Sequence, residues 1–219
     1  RGNFNAPTPV VKASVLFALR SLISEGIPLN DGLFRALKLE IPSPSLLSPL
    51  PTSAVVAGNV ETSQAICDVM FAALGVKAHS QGTMNNLSFG NSNYQYYETL
   101  AGGSGATASH QGASAVQVNM TNSRLTDPEV LEQRFPVRLE LMAIRRGSGG
   151  RGRNLGGDGV YRKLRFLENM QVGMLSQARK YKPLGLLGGG SGLRGRNLHE
   201  KDGCYQELDE CFHIEVESG

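Results

Sequence analysis

Two adjacent carboxamides, Asn85 and Asn86, precede a run in which Tyr96, Tyr97 and Glu98 set two phenols beside a carboxylate, with Gly102 and Gly103 just after. Asn122, Arg124 and Asp127 form a second short cluster downstream. These residue types suit amide chemistry. Asn and backbone N–H groups hold carbonyl oxygens, Arg clamps a carboxylate through two parallel bonds, and Glu or Asp acts as a general base. Glu98, Arg124 and Asp127 are the catalytic candidates. Asn59, Glu61, Asn85, Asn86, Tyr97, Gly102, Gly103 and Asn122 are the substrate-binding candidates, and no residue is a metal candidate. Each acid also has a plainer reading. Asp127 and Glu61 suit the first turns of helices, where the backbone dipole favours an acid. Glu98 and Arg124 could simply neutralise each other.

These residues lie in a segment of unusual texture. Residues 78–126 carry only two formally charged side chains, Glu98 and Arg124; the rest is mostly Gly, Ser, Thr, Asn, Gln and Ala. Each buried amide or hydroxyl there must find a partner or cost about 1–3 kcal/mol. Large side chains (Met84, Leu87, Phe89, Tyr94, Leu100, Val118) are interleaved throughout, which argues against a linker. The segment therefore reads as a polar interior or an active-site wall. On this reading Glu98, Arg124, Asn85, Asn86 and Asn122 converge on one site.

The elements that must hold this segment can be read from periodicity. Residues 9–24 predict a helix, capped by Thr8, with Pro9 in its first turn and Gly26 and Pro28 ending it. Residues 27–52 are a proline-rich connector with a strand at Leu37–Ile41. After GNVETS, the apolar stripe Ile66, Val69, Met70, Ala73 and Leu74 predicts a second helix, capped by Asn59 or Thr62 and closed by Gly75. Thr126-Asp127-Pro128-Glu129 has capping-box form and opens a short helix to about Arg134. Beyond Pro136 the alternation is that of strands: Val137, Leu139 and Leu141; Val160, Leu164 and Phe166; Phe212, Ile214 and Val216. GSGGRGRNL at 147–155 returns as GSGLRGRNL at 190–198, matching in eight of nine positions. It reads as two related turns joining β elements. The fold class is α+β: N-terminal helices, a polar central strand-and-turn segment and a β-rich C-terminal half. The whole of 1–219 is one unit, mixed α/β over 1–135 and β-rich over 136–219.

Composition narrows the function. The chain has 219 residues, 40% hydrophobic and 19% charged, as soluble globular proteins do. A net charge of +3 is too small to indicate nucleic acid. The arginine–glycine repeats lack the aromatics of a stacking platform, so turns are the stronger reading, although their backbone N–H groups could cradle an anion. Cys67, Cys204 and Cys211 are odd in number and far apart, which indicates a reducing, cytoplasmic setting. No run reaches membrane-spanning length and no secretory leader is present. No Walker, Rossmann, GxSxG or HExxH motif occurs, and the four His are scattered, with only His110 inside the polar segment. Both ends fall in mid-pattern, so the expectation is a piece of something longer.

GNVETSQ (58–64), SQGTMNN (80–86), YYETLAGGSGA (96–106), MTNSRLTDPEVLE (120–132), FPVRLE (135–140), RRGSGGRGRNLGGDG (145–159) and PLGLLGGGSG (183–192) together resemble the hydantoinase B/oxoprolinase family. TDPEVLE is most similar to its 5-oxoprolinase branch, and the resemblance covers essentially the whole chain. It implies the C-terminal part of a B-type unit. Such a unit works with a hydantoinase A-type ATP-binding subunit or domain, which phosphorylates the carbonyl oxygen of a cyclic substrate; the B-type part then helps to open the ring. With 5-oxoproline the product is glutamate, at the expense of ATP; other members act on hydantoins or lactams, or carboxylate ketones. ATP and a divalent metal are thus expected in the full-length enzyme and neither in this chain. The resemblance implies the A-type unit and a small-molecule substrate as partners. A fragment cut from a larger unit should also expose apolar surface and pair with a second copy, and composition leaves no nucleic acid and no membrane. Where the family carries H-x-H-M-T-N, this chain has Gln117 and Asn119, and Gln111 replaces a common acid. Neither amide titrates near neutral pH. A non-catalytic unit that docks on the A-type partner is the alternative from another class.

Overall fold

The computed structural model describes residues 2–28 and 30–219. Helix α1 spans Thr8–Arg20 and buries Val11, Val15 and Ala18. It is shorter than the periodicity suggests, and its N-cap is Pro7 rather than Thr8, with no capping side chain. The connector forms a 3-10 helix at Asp31–Ala36, and Leu37–Ile41 is not a strand. That run lies only part-buried to exposed, with no neighbouring strand to complete its backbone bonds. Arg1 and Leu29 lie outside the described residues.

Helix α2, Ser63–Ala73, follows a π-helical turn at Gly58–Thr62 without a capping side chain, so neither Asn59 nor Thr62 plays that part. Only part of its apolar stripe is covered: Ile66 and Met70 pack against Val11 and Val15 of α1. Val69 is 60% exposed and Leu74 52%, while Glu61, Gln64, Cys67, Asp68 and Phe71 point inward. This inward face is divided: Cys67 and Phe71 pack with Ala18 of α1, while Glu61, Gln64 and Asp68 meet the polar central segment. Gly75 does close the helix, in the left-handed region at φ +69°.

The main sheet is antiparallel in the order β2-β1-β5-β8, with β1 Asn86–Gly90, β2 Gln95–Thr99, β5 Met170–Leu175 and β8 Cys211–Val216. Register alternates its two faces. Leu87, Phe89, Val172, Phe212 and Ile214 share one face; Asn86, Ser88, Tyr97, Thr99 and Gly173 share the other. The apolar face packs on helix α3, Pro128–Arg134, through Leu131, and on Val137 and Phe166. Those two residues start and end the hairpin of β3, Val137–Arg145, and β4, Gly159–Phe166. A bulge at Glu140 shifts the β3 register, so Met142 and Ile144, and not Leu141, share the face of Leu139, though all three stay exposed. A second hairpin joins β6, Asn197–Lys201, to β7, Cys204–Leu208. Mixed helices and antiparallel sheets, with most strands in the second half, make this the expected α+β class.

The two copies of the repeat do join β elements: one lies between β3 and β4, the other leads into β6. They also lie against each other. Gly190 N–H donates to Arg151 O at 2.6 Å and Leu193 N–H to Ser148 O at 2.8 Å. A Cβ on Gly150 would sit 2.3 Å from Gly190 O, so the close approach requires glycine.

Candidate functional site

The π-helical turn puts Glu61 inside the molecule, fully buried, facing the start of β1. Its Oε1 accepts from Thr83 Oγ1 (2.9 Å), Met84 N–H (3.0 Å) and Asn86 Nδ2 (2.7 Å), and its Oε2 from Gln177 Nε2 (3.0 Å). Loss of water pushes its pKa up to about 7 against the pull of these donors. Asn86 also donates to Leu175 O (2.8 Å) and accepts from the Tyr97 hydroxyl (2.6 Å). Next to it Asn85 holds φ +49°. The Asn85 Oδ1 accepts from Arg179 Nη1 at 2.7 Å, and its Nδ2 faces Gln81 Oε1 and Leu100 O, both at 3.4 Å. Four of the substrate-binding candidates, Glu61, Asn85, Asn86 and Tyr97, thus form one connected network.

The network backs onto a cleft of about 1880 Å³, whose lining includes Gln81, Asn85, Gly103, Arg162 and Arg179. That is larger than a small-molecule pocket of roughly 300–1,000 Å³. Gly102 and Gly103 line it as backbone. A Cβ on Gly102 would strike Gln81 Oε1 at 1.6 Å, and one on Gly103 would strike Gly157 O at 1.9 Å. Two turns along α2 from Glu61, buried Asp68 accepts from Asn119 Nδ2 (2.9 Å) and Ser80 N–H (3.3 Å), and burial raises its pKa as well. Gln117 donates to Thr99 O at 3.0 Å. The oxygens of Gln117 and Asn119 are buried without a protein donor, so both amides serve here through their N–H groups.

The expected convergence of Glu98 and Arg124 does not occur. Glu98 lies on the apolar face of β2, and its Oε1 is 2.6 Å from Arg162 Nη2 on β4. Its Oε2 accepts from the Tyr96 hydroxyl at 2.8 Å. Arg124 and Asn122 are exposed, and Arg124 has no carboxylate within ion-pair range among the described residues. Asn59 is exposed too. The Asp127 carboxylate caps α3, accepting from Glu129 N–H at 3.0 Å; the Thr126 hydroxyl, the expected cap, instead donates to the Tyr96 hydroxyl at 2.7 Å. Asp127→Ala should therefore cost about 1 kcal/mol in thermal unfolding and leave turnover by the full-length protein unchanged; lost turnover at unchanged stability would show a catalytic role. His110 is exposed and hydrogen-bonds only locally.

Arg162 and Arg179 escaped the sequence reading. Arg162 left a trace: it falls on the same parity of β4 as Val160, Leu164 and Phe166, an arginine in an apolar register. Arg179 left none, since it sits in an irregular stretch. Among the described residues no three His, Cys, Asp or Glu stand together as metal ligands. The glycine loops run into strands and not into a helix, so they offer no phosphate cradle at a helix N-terminus. Nor is any helix there long and apolar enough to cross a membrane.

The hydantoinase B/oxoprolinase family model matches residues 1–219. The chain belongs to the hydantoinase B/oxoprolinase family. It is 46% identical to a 5-oxoprolinase of Dictyostelium discoideum over 217 residues, covering 99% of this chain and 17% of that protein. To 5-oxoprolinase 1 of Arabidopsis thaliana it is 48% identical over 196 residues, covering 90% and 16%. The chain thus spans about a sixth of the length of these relatives. Its fold matches the crystal structure of an ATP-dependent caprolactamase from Pseudomonas jessenii with a TM-score of 0.82 at 20% identity, over 99% of this chain and 42% of that one. In this family member the motif residues Glu61, Asn85 and Asn86 sit together, whereas Glu98 lies against Arg162 of β4 and Asp127 caps α3.

Proposed function

We propose that this chain is the C-terminal portion of the B-type unit of a 5-oxoprolinase, which converts 5-oxoproline, ATP and water to glutamate, ADP and phosphate. The observation that carries the reading is 46–48% identity to two 5-oxoprolinases over nearly the whole chain. ATP and a divalent metal belong to the remainder of the enzyme, with an A-type unit binding the nucleotide. Ring opening needs N–H donors for the substrate oxygens and a group that changes charge near neutral pH. The Asn85 amide at the cleft and Glu61 behind it supply these on this reading. Exposed apolar side chains such as Val56, Val69 and Leu187 are the contact surface for the remainder of the protein, the A-type unit or a second copy.

The second reading is a docking unit without chemistry of its own, favoured by Gln117 and Asn119, which cannot carry protons near neutral pH. The natural full-length protein, given ATP and 5-oxoproline, should release glutamate and phosphate in equal amounts, while the isolated chain gives neither. No glutamate from the full-length protein would sink the enzyme reading; glutamate from the isolated chain would show that the machinery lies here.

A further inference from the structure

We infer that Arg179 is a positioning residue, which fixes the Asn85 amide on the cleft floor, and that the second copy of the repeat is the socket that holds Arg179. Arg179 Nη1 donates to Asn85 Oδ1 (2.7 Å) and to Gln177 O (2.9 Å). Its Nε and Nη2 both donate to Asn197 Oδ1, at 3.1 and 2.9 Å. Asn197 is buried and anchored in turn through its Nδ2 to Asp209 O (2.8 Å). One guanidinium thus ties the polar segment, the end of β5 and the start of β6.

The socket belongs to one copy of the repeat. A Cβ on Gly195 would lie 2.7 Å from Arg179 Nη1 and 2.9 Å from its Cδ and Cζ, so the guanidinium rests directly on the glycine backbone. At the equivalent positions of the first copy, Gly152 has no side chain against it, and Asn154 donates to Thr107 O and Ala108 O. The same sequence therefore does two jobs: copy one pins the polar segment, and copy two seats an arginine.

The consequence for the cleft follows from donor chemistry. A guanidinium only donates, so the amide oxygen of Asn85 must face Arg179 and its NH₂ must face the other way. The contacts on that NH₂ side, to Gln81 Oε1 and Leu100 O, are both long. The charge-assisted bond to Arg179 is the strong one. Arg179 thereby sets which end of the amide the cleft floor presents: an N–H donor, suited to a carbonyl or phosphoryl oxygen of the substrate. This rests on the 5-oxoprolinase reading for the identity of that substrate, but not for the geometry.

The test uses the natural full-length protein. Arg179→Lys keeps the charge and loses the three-way fork. It should lower kcat/KM for 5-oxoproline by about 10-fold or more, with thermal unfolding little changed. In Arg179→Ala, added guanidinium ion should restore part of the lost turnover and ammonium ion should not. A crystal structure of the Lys variant should show the Asn85 amide turned or displaced. Unchanged kcat/KM, or an Asn85 amide that stays in place, overturns the proposal. If the wild-type protein does not turn over 5-oxoproline, the functional reading fails, and the Asn85 amide in the variant structure still decides the role of Arg179.

Discussion

Arg162→Met should destabilise the protein by about 3–5 kcal/mol, and adding Glu98→Gln should recover most of that loss. The Arg162 side chain is 5% exposed and that of Glu98 2%, with charged atoms 2.6 Å apart. Neither charge has water to fall back on. Removing the arginine leaves a carboxylate against Leu87, Met174 and Phe212, where the Tyr96 hydroxyl is its main remaining partner. Removing both charges leaves a neutral amide and an apolar side chain of similar volume, which such a setting tolerates. Lys163→Met is the control. Lys163 is the next residue on β4, faces the other way and pairs with Glu140 and Glu200 at 40% side-chain exposure. Exposed pairs of that kind contribute little, because water screens both charges. Denaturant unfolding of the four proteins measures the coupling. Additive losses from Arg162→Met and Glu98→Gln would show that the pair does not act as a unit.

A second large effect is a loss of stability between about pH 4.5 and 7 that depends on Glu61. In the folded protein its carboxyl titrates near 7, raised by burial from 4.5. Across that window the folded state keeps a proton that the unfolded chain has released. The contribution is therefore full below about pH 4.5 and is lost as the pH climbs through 7, by on the order of 3 kcal/mol. Asp68 is raised in the same sense and adds to the slope. Glu61→Gln should remove most of the dependence, because its amide oxygen still accepts from Thr83, Met84 and Asn86 while no proton is exchanged. Unfolding midpoints measured from pH 4 to 8 would show it. An unchanged slope in the variant would place the titration elsewhere.

Much of the fold was legible in the residue pattern because its signals are local. Alternation along Val160–Phe166 and Phe212–Val216 reports a strand with one apolar face, whatever its neighbours are. Gly75 closed α2, and the short helix after Asp127 stands where its opening motif put it, although α1 stops at Arg20, short of Gly26 and Pro28. The errors are also instructive. The stripe on α2 was real but only part of it is covered: Ile66 and Met70 pack against α1, Val69 and Leu74 stay exposed, and the most buried positions include the polar Glu61, Gln64 and Asp68. Hydrophobicity alone cannot reveal a helix whose inward face is polar, because the partners that satisfy it come from distant segments.

The sequence by itself determined the α+β class, the duplicated glycine–arginine turn and, through its motifs, the resemblance to one family. It also picked out Asn85, Asn86 and Tyr97, since a run dense in hydrogen-bonding groups must satisfy them internally, and put Glu61, outside that run, among the candidates. Only the tertiary structure decided who partners whom. Glu98 meets Arg162 and not Arg124 because sheet register and the β3–β4 hairpin carry that arginine over the apolar face of β2. Arg179 meets Asn85 because two loops close on Gly195 and Asn197. Periodicity is a property of neighbours along the chain; an ion pair or a shared amide depends on distances that the chain sets only once it has folded.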